Sequence, residues 1–252
     1  MVKRLPVYDD AEEALFEAQD LMYDAFEESD AGRRRALAVE ALTISPDCAD
    51  AYLLLAEETP LEIEQKLELL EAGVAAGERA LGAETFVHDV GSFWLAFETR
   101  PYMRVRAALA ETLWELERHD EAVGHMRELL RLNPNDNQGN RDVLVEWLLF
   151  LERWDELDEL FETYEEDRAA VMVYTRALAG FCRHGESEEA ERLLVAAIEC
   201  NALVPQYLTG RKPLLKRLPD AYSIGDRREA LLYASESKPL WKRVPGALAW
   251  LD

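Results

Sequence analysis

Apolar residues along this chain recur three and four positions apart, the spacing of one helix face. The pattern also repeats at longer range. Leu116–Leu130, LERHDEAVGHMRELL, aligns at an offset of 35 with Leu151–Glu165, LERWDELDELFETYE, and after a further 33 with Arg183–Ile198, RHGESEEAERLLVAAI. In that register Ala122, Leu157 and Ala190 share a column, as do Met126, Phe161 and Leu194, and then Leu129, Tyr164 and Ala197. Columns four and three apart make one buried stripe. A second stripe precedes each: Met103, Ala107, Ala110 and Leu113; Val143, Leu144, Trp147, Leu148 and Leu151; Val173, Tyr174, Ala177, Leu178 and Phe181. The polar turns ERHD, ERWD and RHGE separate the two helices of each pair. Pro46, Pro134 and Pro205 mark the exits, because proline cannot donate into a continuing helix. The unit is a helix-turn-helix of about 34 residues.

The period, the small–large–small column and the exit proline resemble the tetratricopeptide repeat, with ERHDEA…RLNP the most specific stretch. Repeats are expected at about 14–47, 48–81, 102–136, 137–169 and 170–203, the second carrying EETPLEIEQ in place of its turn. The resemblance implies an all-α, right-handed α-solenoid whose first helices line a concave groove for peptides or proteins. ETRPYMR, RLNPNDNQGNR and YLTGRKPL are also similar to a narrower bacterial group of tetratricopeptide proteins. That group is itself remotely similar to a eukaryotic tumour-suppressor-candidate family, and neither supplies an activity to carry over.

Two regions depart from the period. Residues 82–101, GAETFVHDVGSFWLAFETRP, read as an aromatic insertion in which Phe93, Trp94 and Phe97 pack on the repeats as a short helix. Residues 204–252 read as a degenerate capping pair continuous with repeats 1–203, its first helix broken by GRKPLLKRLPD and Ala230 falling in the Ala190 column.

Charge narrows the function. The chain carries −23 overall, divided as −16 over residues 1–99, −11 over 100–205 and +4 over 206–252. Such a field repels phosphate backbones and anionic lipids, so neither nucleic acid nor membrane is expected as a partner. No apolar run approaches the ~18 residues of a membrane helix. The N-terminus turns acidic within ten residues without a hydrophobic signal core. Cys48, Cys182 and Cys200 are odd in number and lack CxxC spacing, which suits a reduced cytoplasm.

Catalytic patterns are missing from the sequence. His88, His119, His125 and His184 show no metal-ligand spacing, no GxSxG occurs, and YLTGRKPLL is no phosphate loop. No metal, no cofactor and no enzymatic activity are expected. The arginines of ETRPYMRVR, Arg100, Arg104 and Arg106, are the exception in an acidic chain. If first helices line the groove, Arg100, Arg104, Arg141 and Arg176 converge with Asn137, Gln138 and Asn140, flanked by Tyr102 and Tyr174. Asn137 is also a candidate helix cap. Guanidinium forks and amides suit an acidic or C-terminal carboxylate segment of a protein or peptide partner. The co-chaperone branch of the repeat family holds such a carboxylate; at its clamp positions this chain has Ala107, Glu111, Val143 and Met172, and agrees only at Arg176. The competing reading makes these arginines internal staples for nearby carboxylates. A basic lid of Arg211, Lys212, Lys216 and Arg217 over Asp155–Asp167, a basic partner for the acidic surface, a helical-repeat RNA binder and a subunit binding a small anion complete the alternatives.

Overall fold

The computed structural model describes residues 10–251. The reading of the extreme N-terminus as lacking a signal core falls on residues 1–9 and lies outside them. Among the described residues all regular structure is helical, as the periodicity predicts. Helices pair as α1 (Asp10–Glu27) with α2 (Ala31–Ile44), α3 (Ala49–Glu58) with α4 (Ile63–His88), and α5 (Arg100–Glu115) with α6 (His119–Leu132). Then follow α7 (Asn140–Phe150) and α8 (Trp154–Thr163), and after them α9 (Ala170–His184) paired with α10 (Glu188–Cys200). The C-terminal part holds α11 (Val204–Leu208), α12 (Arg227–Arg243) and α13 (Ala247–Trp250). The chain divides into two compact units, Met1–Asn140 and Arg141–Asp252. That division falls at the start of α7; the sequence placed the change from regular repeats to the capping pair at 203/204.

The sequence columns are the buried seams of the pairs. Ala122, Leu157 and Ala190 are fully buried, and Met126, Phe161 and Leu194 nearly so. A small residue lets the paired helix approach, and the large one beside it supplies the apolar area, about 1.5–3 kcal/mol for each fully buried large side chain. In α1 and α2 the same logic uses Ala18, Met22 and Ala25 against Ala38 and Ala41. The turns repeat in the sign of φ, and the first two also in their hydrogen bonds. Glu117 (φ 59°), Glu152 (φ 55°) and Gly185 (φ 61°) occupy equivalent positions with positive φ. Beyond the first two, the Arg118 N–H donates to Leu113 O (2.9 Å) and the Arg153 N–H to Leu148 O (3.0 Å), satisfying carbonyls that the helix end orphans.

In the first unit α4 lies close to its neighbours through two glycines. A Cβ on Gly73 would stand 2.7 Å from Val105 Cγ2, and one on Gly77 3.0 Å from Tyr102 Cβ. Gly82 (φ 68°, ψ 158°) then breaks the helix, so that residues 83–88 form a separate turn. Phe86 meets Phe93 and Tyr102 at 5.3 and 5.1 Å between ring centroids. Phe93 is buried in a 3-10 turn (Phe93–Leu95), and Trp94 is half-buried. Phe97 differs from expectation: it is 65% exposed, turned outward under the Arg100 guanidinium at 4.2 Å.

In the second unit α12 lies across the first helices α7 and α9. Ser237 Oγ donates to Glu146, and the Arg243 guanidinium donates to Phe150 O at 3.1 Å. Tyr233 stands 5.6 Å from the Tyr174 ring, and Glu229 accepts the Ala170 N–H at 2.9 Å. The segment that covers these helices is therefore α12, while Arg211, Lys212, Lys216 and Arg217 of the expected basic lid are exposed.

Candidate functional site

Each arginine singled out by sequence is engaged within its own unit. In the first unit Arg104 grips Asp50 through two bonds, Nε to Oδ1 at 2.9 Å and Nη2 to Oδ2 at 2.5 Å. The Asp50 side chain is fully buried, and Gln19 Nε2 also donates to it at 2.8 Å. One carboxylate thus ties together α1, α3 and α5. Arg100 Nε donates to Trp94 O at 2.9 Å, with its guanidinium over Trp94 and Phe97. Arg106 bonds the Tyr102 hydroxyl. In the second unit Arg141 Nε donates to Asp167 at 2.7 Å, above the Tyr164 ring. Arg176 Nη2 donates to Phe161 O at 2.8 Å.

The tyrosines and amides lie differently from the expected patch. Tyr102 and Tyr174 are core residues, 1% and 0% exposed, and burial raises both phenol pKa values. The Tyr174 hydroxyl is spent on Asn201 O at 2.7 Å. Asn140 is buried, and its N–H donates to Asp136 Oδ1 at 2.8 Å, so Asp136 rather than Asn137 serves the start of α7. Gln138 Nε2 reaches Met103 O at 3.3 Å, and Asn137 is exposed.

What the first unit does leave open is a groove of about 410 Å³ among α1, the N-terminus of α3, the second half of α4 and the start of α5. Helix α1 has two apolar faces. Ala18, Met22 and Ala25 pack inward, while Leu15, Phe16, Gln19 and Tyr23 turn to the groove. Phe16 and Tyr23 remain 42% and 45% exposed there, with Phe97 at the opposite lip. Glu12, Asp20, Asp47 and Glu98 rim it, and its lining contains no lysine or arginine. Gln19 joins this surface to the Arg104–Asp50 pair beneath. Nearby Cys48 is buried, and burial pushes its thiol pKa up to about 11, which disfavours the thiolate.

A second cavity, about 370 Å³, lies in the other unit among α8, α9 and α10. Arg176 and Arg183 line it with Asp158, Glu162, Glu165 and Glu189. Arg176 Nε is buried without a hydrogen-bond partner, and burial lowers its pKa against the pull of Glu165 and Asp167. Arg183 is held by Trp154 O and Asp158. Among the described residues no group of three or more His, Cys, Asp or Glu is placed to hold a metal, and no helix is long and apolar enough to cross a membrane.

Sequence reasoning passed over Asp50, Gln19 and the outer face of α1. The available signals were an acid flanked by the apolar residues Ala49, Ala51, Leu53 and Leu54, and a helix with apolar residues on two faces.

A family model described as "ST7 protein" matches residues 8–252. The suppressor of tumorigenicity 7 protein-like of Gallus gallus is 29% identical over 258 residues, covering 94% of this chain and 46% of its own length. Its Homo sapiens counterpart is 29% identical over 257 residues, with coverage of 92% and 44%. The suppressor of tumorigenicity 7 protein of Macaca fascicularis is 29% identical over 229 residues, 82% of this chain and 43% of that protein. The chain spans less than half the length of these relatives. Among solved structures, YrrB, described as a TPR protein with an unusual peptide-binding site, superposes with a TM-score of 0.51 at 19% identity, over 75% of this chain and 86% of that one. At that identity the likeness speaks to the fold alone.

Proposed function

The chain belongs to the ST7 protein family, and from that premise we propose a non-catalytic scaffold that holds a segment of a protein partner. The observation that carries this reading is the first-unit groove, where Phe16, Tyr23 and Phe97 stay exposed around one concavity. Aromatics at a groove offer large contact area at little conformational cost, and an apolar concavity lined by a few polar groups is the usual form of a binding site. The solved tetratricopeptide neighbour is described as having a peptide-binding site, which agrees with a binding role for the fold.

A second reading, an acidic or C-terminal carboxylate anchored by arginine, has its support in Arg176 alone of the arginines expected to form the patch. Arg176 lines a cavity and, besides the bond from its Nη2 to Phe161 O, keeps a buried Nε without a partner, whereas Arg104 and Arg141 are spent on carboxylates and Arg100 on the Trp94 carbonyl. One experiment separates the two. Selection of a displayed random-peptide library on the full chain should return binders that the Tyr23→Ser/Phe97→Ser variant no longer holds. Acidic binders lost instead in Arg176→Gln would move the site to the second cavity. Binders indifferent to both would sink both assignments.

A further inference from the structure

The groove of the first unit is chemically one-sided. Its walls are apolar and aromatic, and the charges at its rim are carboxylates. Asp20 and Glu98 are exposed; Asp47 is held by Arg79, with Nε to Oδ1 at 2.8 Å. The cations nearest in sequence to Glu98 are committed elsewhere, Arg100 to the Trp94 carbonyl and Arg104 to buried Asp50. Residues 1–99 add a background of −16.

We propose that this groove docks a protein segment in which bulky apolar side chains are flanked by lysine or arginine. This rests on the scaffold reading above and specifies the partner's chemistry. Apolar side chains would cover Phe16, Tyr23 and Phe97, removing aromatic surface from water. Flanking cations would meet Asp20 and Glu98 and could stack on the exposed rings. An acidic segment would instead bring like charge to within a Debye length, about 8 Å at physiological salt, of every rim carboxylate. The net negative field should also accelerate encounter with a cationic segment, and that gain should fade as salt rises.

The test measures binding of three synthetic peptides to the full chain, identical in their Leu and Trp core and flanked by Lys, Ser or Glu. The Lys-flanked peptide should bind at least tenfold tighter than the Ser-flanked one, the Glu-flanked one most weakly, and 0.5 M salt should erase the difference. Asp20→Lys/Glu98→Lys, both at exposed positions, should reverse the order with an unchanged melting temperature, while Phe97→Ala should weaken all three. Equal binding of the three peptides overturns the charge preference but leaves the scaffold reading standing. No binding by any of them overturns both. The chain's own exposed Gly210–Asp220 segment, GRKPLLKRLPD, has the same chemistry. Concentration-dependent self-association lost in Glu98→Lys would therefore assign the groove to a second copy and overturn a separate partner.

Discussion

Arg104 shows what a sequence-level charge cluster conceals. Its guanidinium answers a carboxylate 54 positions away, so nothing local to ETRPYMRVR announces the partner. A buried carboxylate stripped of its cation costs about 3–5 kcal/mol, because desolvation is no longer compensated. Arg104→Ala should therefore lower the stability of the first unit by about 3 kcal/mol, read as a shift in urea midpoint. Asp50→Asn combined with Arg104→Met should recover much of that loss. An unchanged midpoint in Arg104→Ala would mean that the pair carries no stability and that the guanidinium is available to a ligand. Tyr102 and Tyr174 carry the same lesson. Repeat position set both beside the arginines, and Tyr174 also in an apolar stripe, but which face of the helix met a neighbour depended on packing from outside the repeat.

At the level of helices and turns the sequence was far more readable, because columns such as Ala122–Leu157–Ala190 recur with the period and each repeat reports on the next. The turns extend that redundancy into backbone conformation. Glu117 and Glu152 hold a positive φ that costs an L-residue about 1 kcal/mol, and the equivalent site in the next repeat is Gly185, whose φ of 61° and ψ of −148° lie in a region open essentially to glycine alone. Glu152→Gly should raise stability by about 0.5–1 kcal/mol and Gly185→Ala should lower it by about 1 kcal/mol, both measurable by thermal unfolding. Opposite signs would indicate that the Glu152 side chain matters more than its backbone. Gly82 and α12 were not legible in this way. The break at Gly82 lies where the period lapses, and the seat of α12 depends on contacts such as Ser237 with Glu146, 91 positions apart.

At the scale of the whole chain, one buried group in each unit should answer pH in the opposite direction to the other. In the first, burial with Arg106 nearby holds the His125 imidazole down to about 4. Its unfolded form takes up protons first, so this contribution is present above about 6.5 and is lost as pH falls toward 4. In the second, burial pushes the Glu146 carboxyl up to about 7, helped by Glu236 and Asp142 and opposed by Ser237. That contribution is full below about 4.5 and is lost as pH rises through 7. His125→Phe should remove the acid-side loss, and Glu146→Gln should flatten the slope between pH 5 and 8 and stabilise the chain at pH 8. Urea melts across that range check both, and parallel slopes in the two variants would contradict the assignment.

The reach of α12 back to α7 and α9 also orders events during synthesis. The first unit closes on segments that leave the ribosome together, and it can complete itself while the rest is still being made. The second must wait with the faces of α7 and α9 uncovered until the ribosome has passed Arg243. A chain stalled or cut short before that point would present Tyr174 and the Glu146 carboxyl to the cell, and quality-control factors rather than any native partner would be the first to meet them.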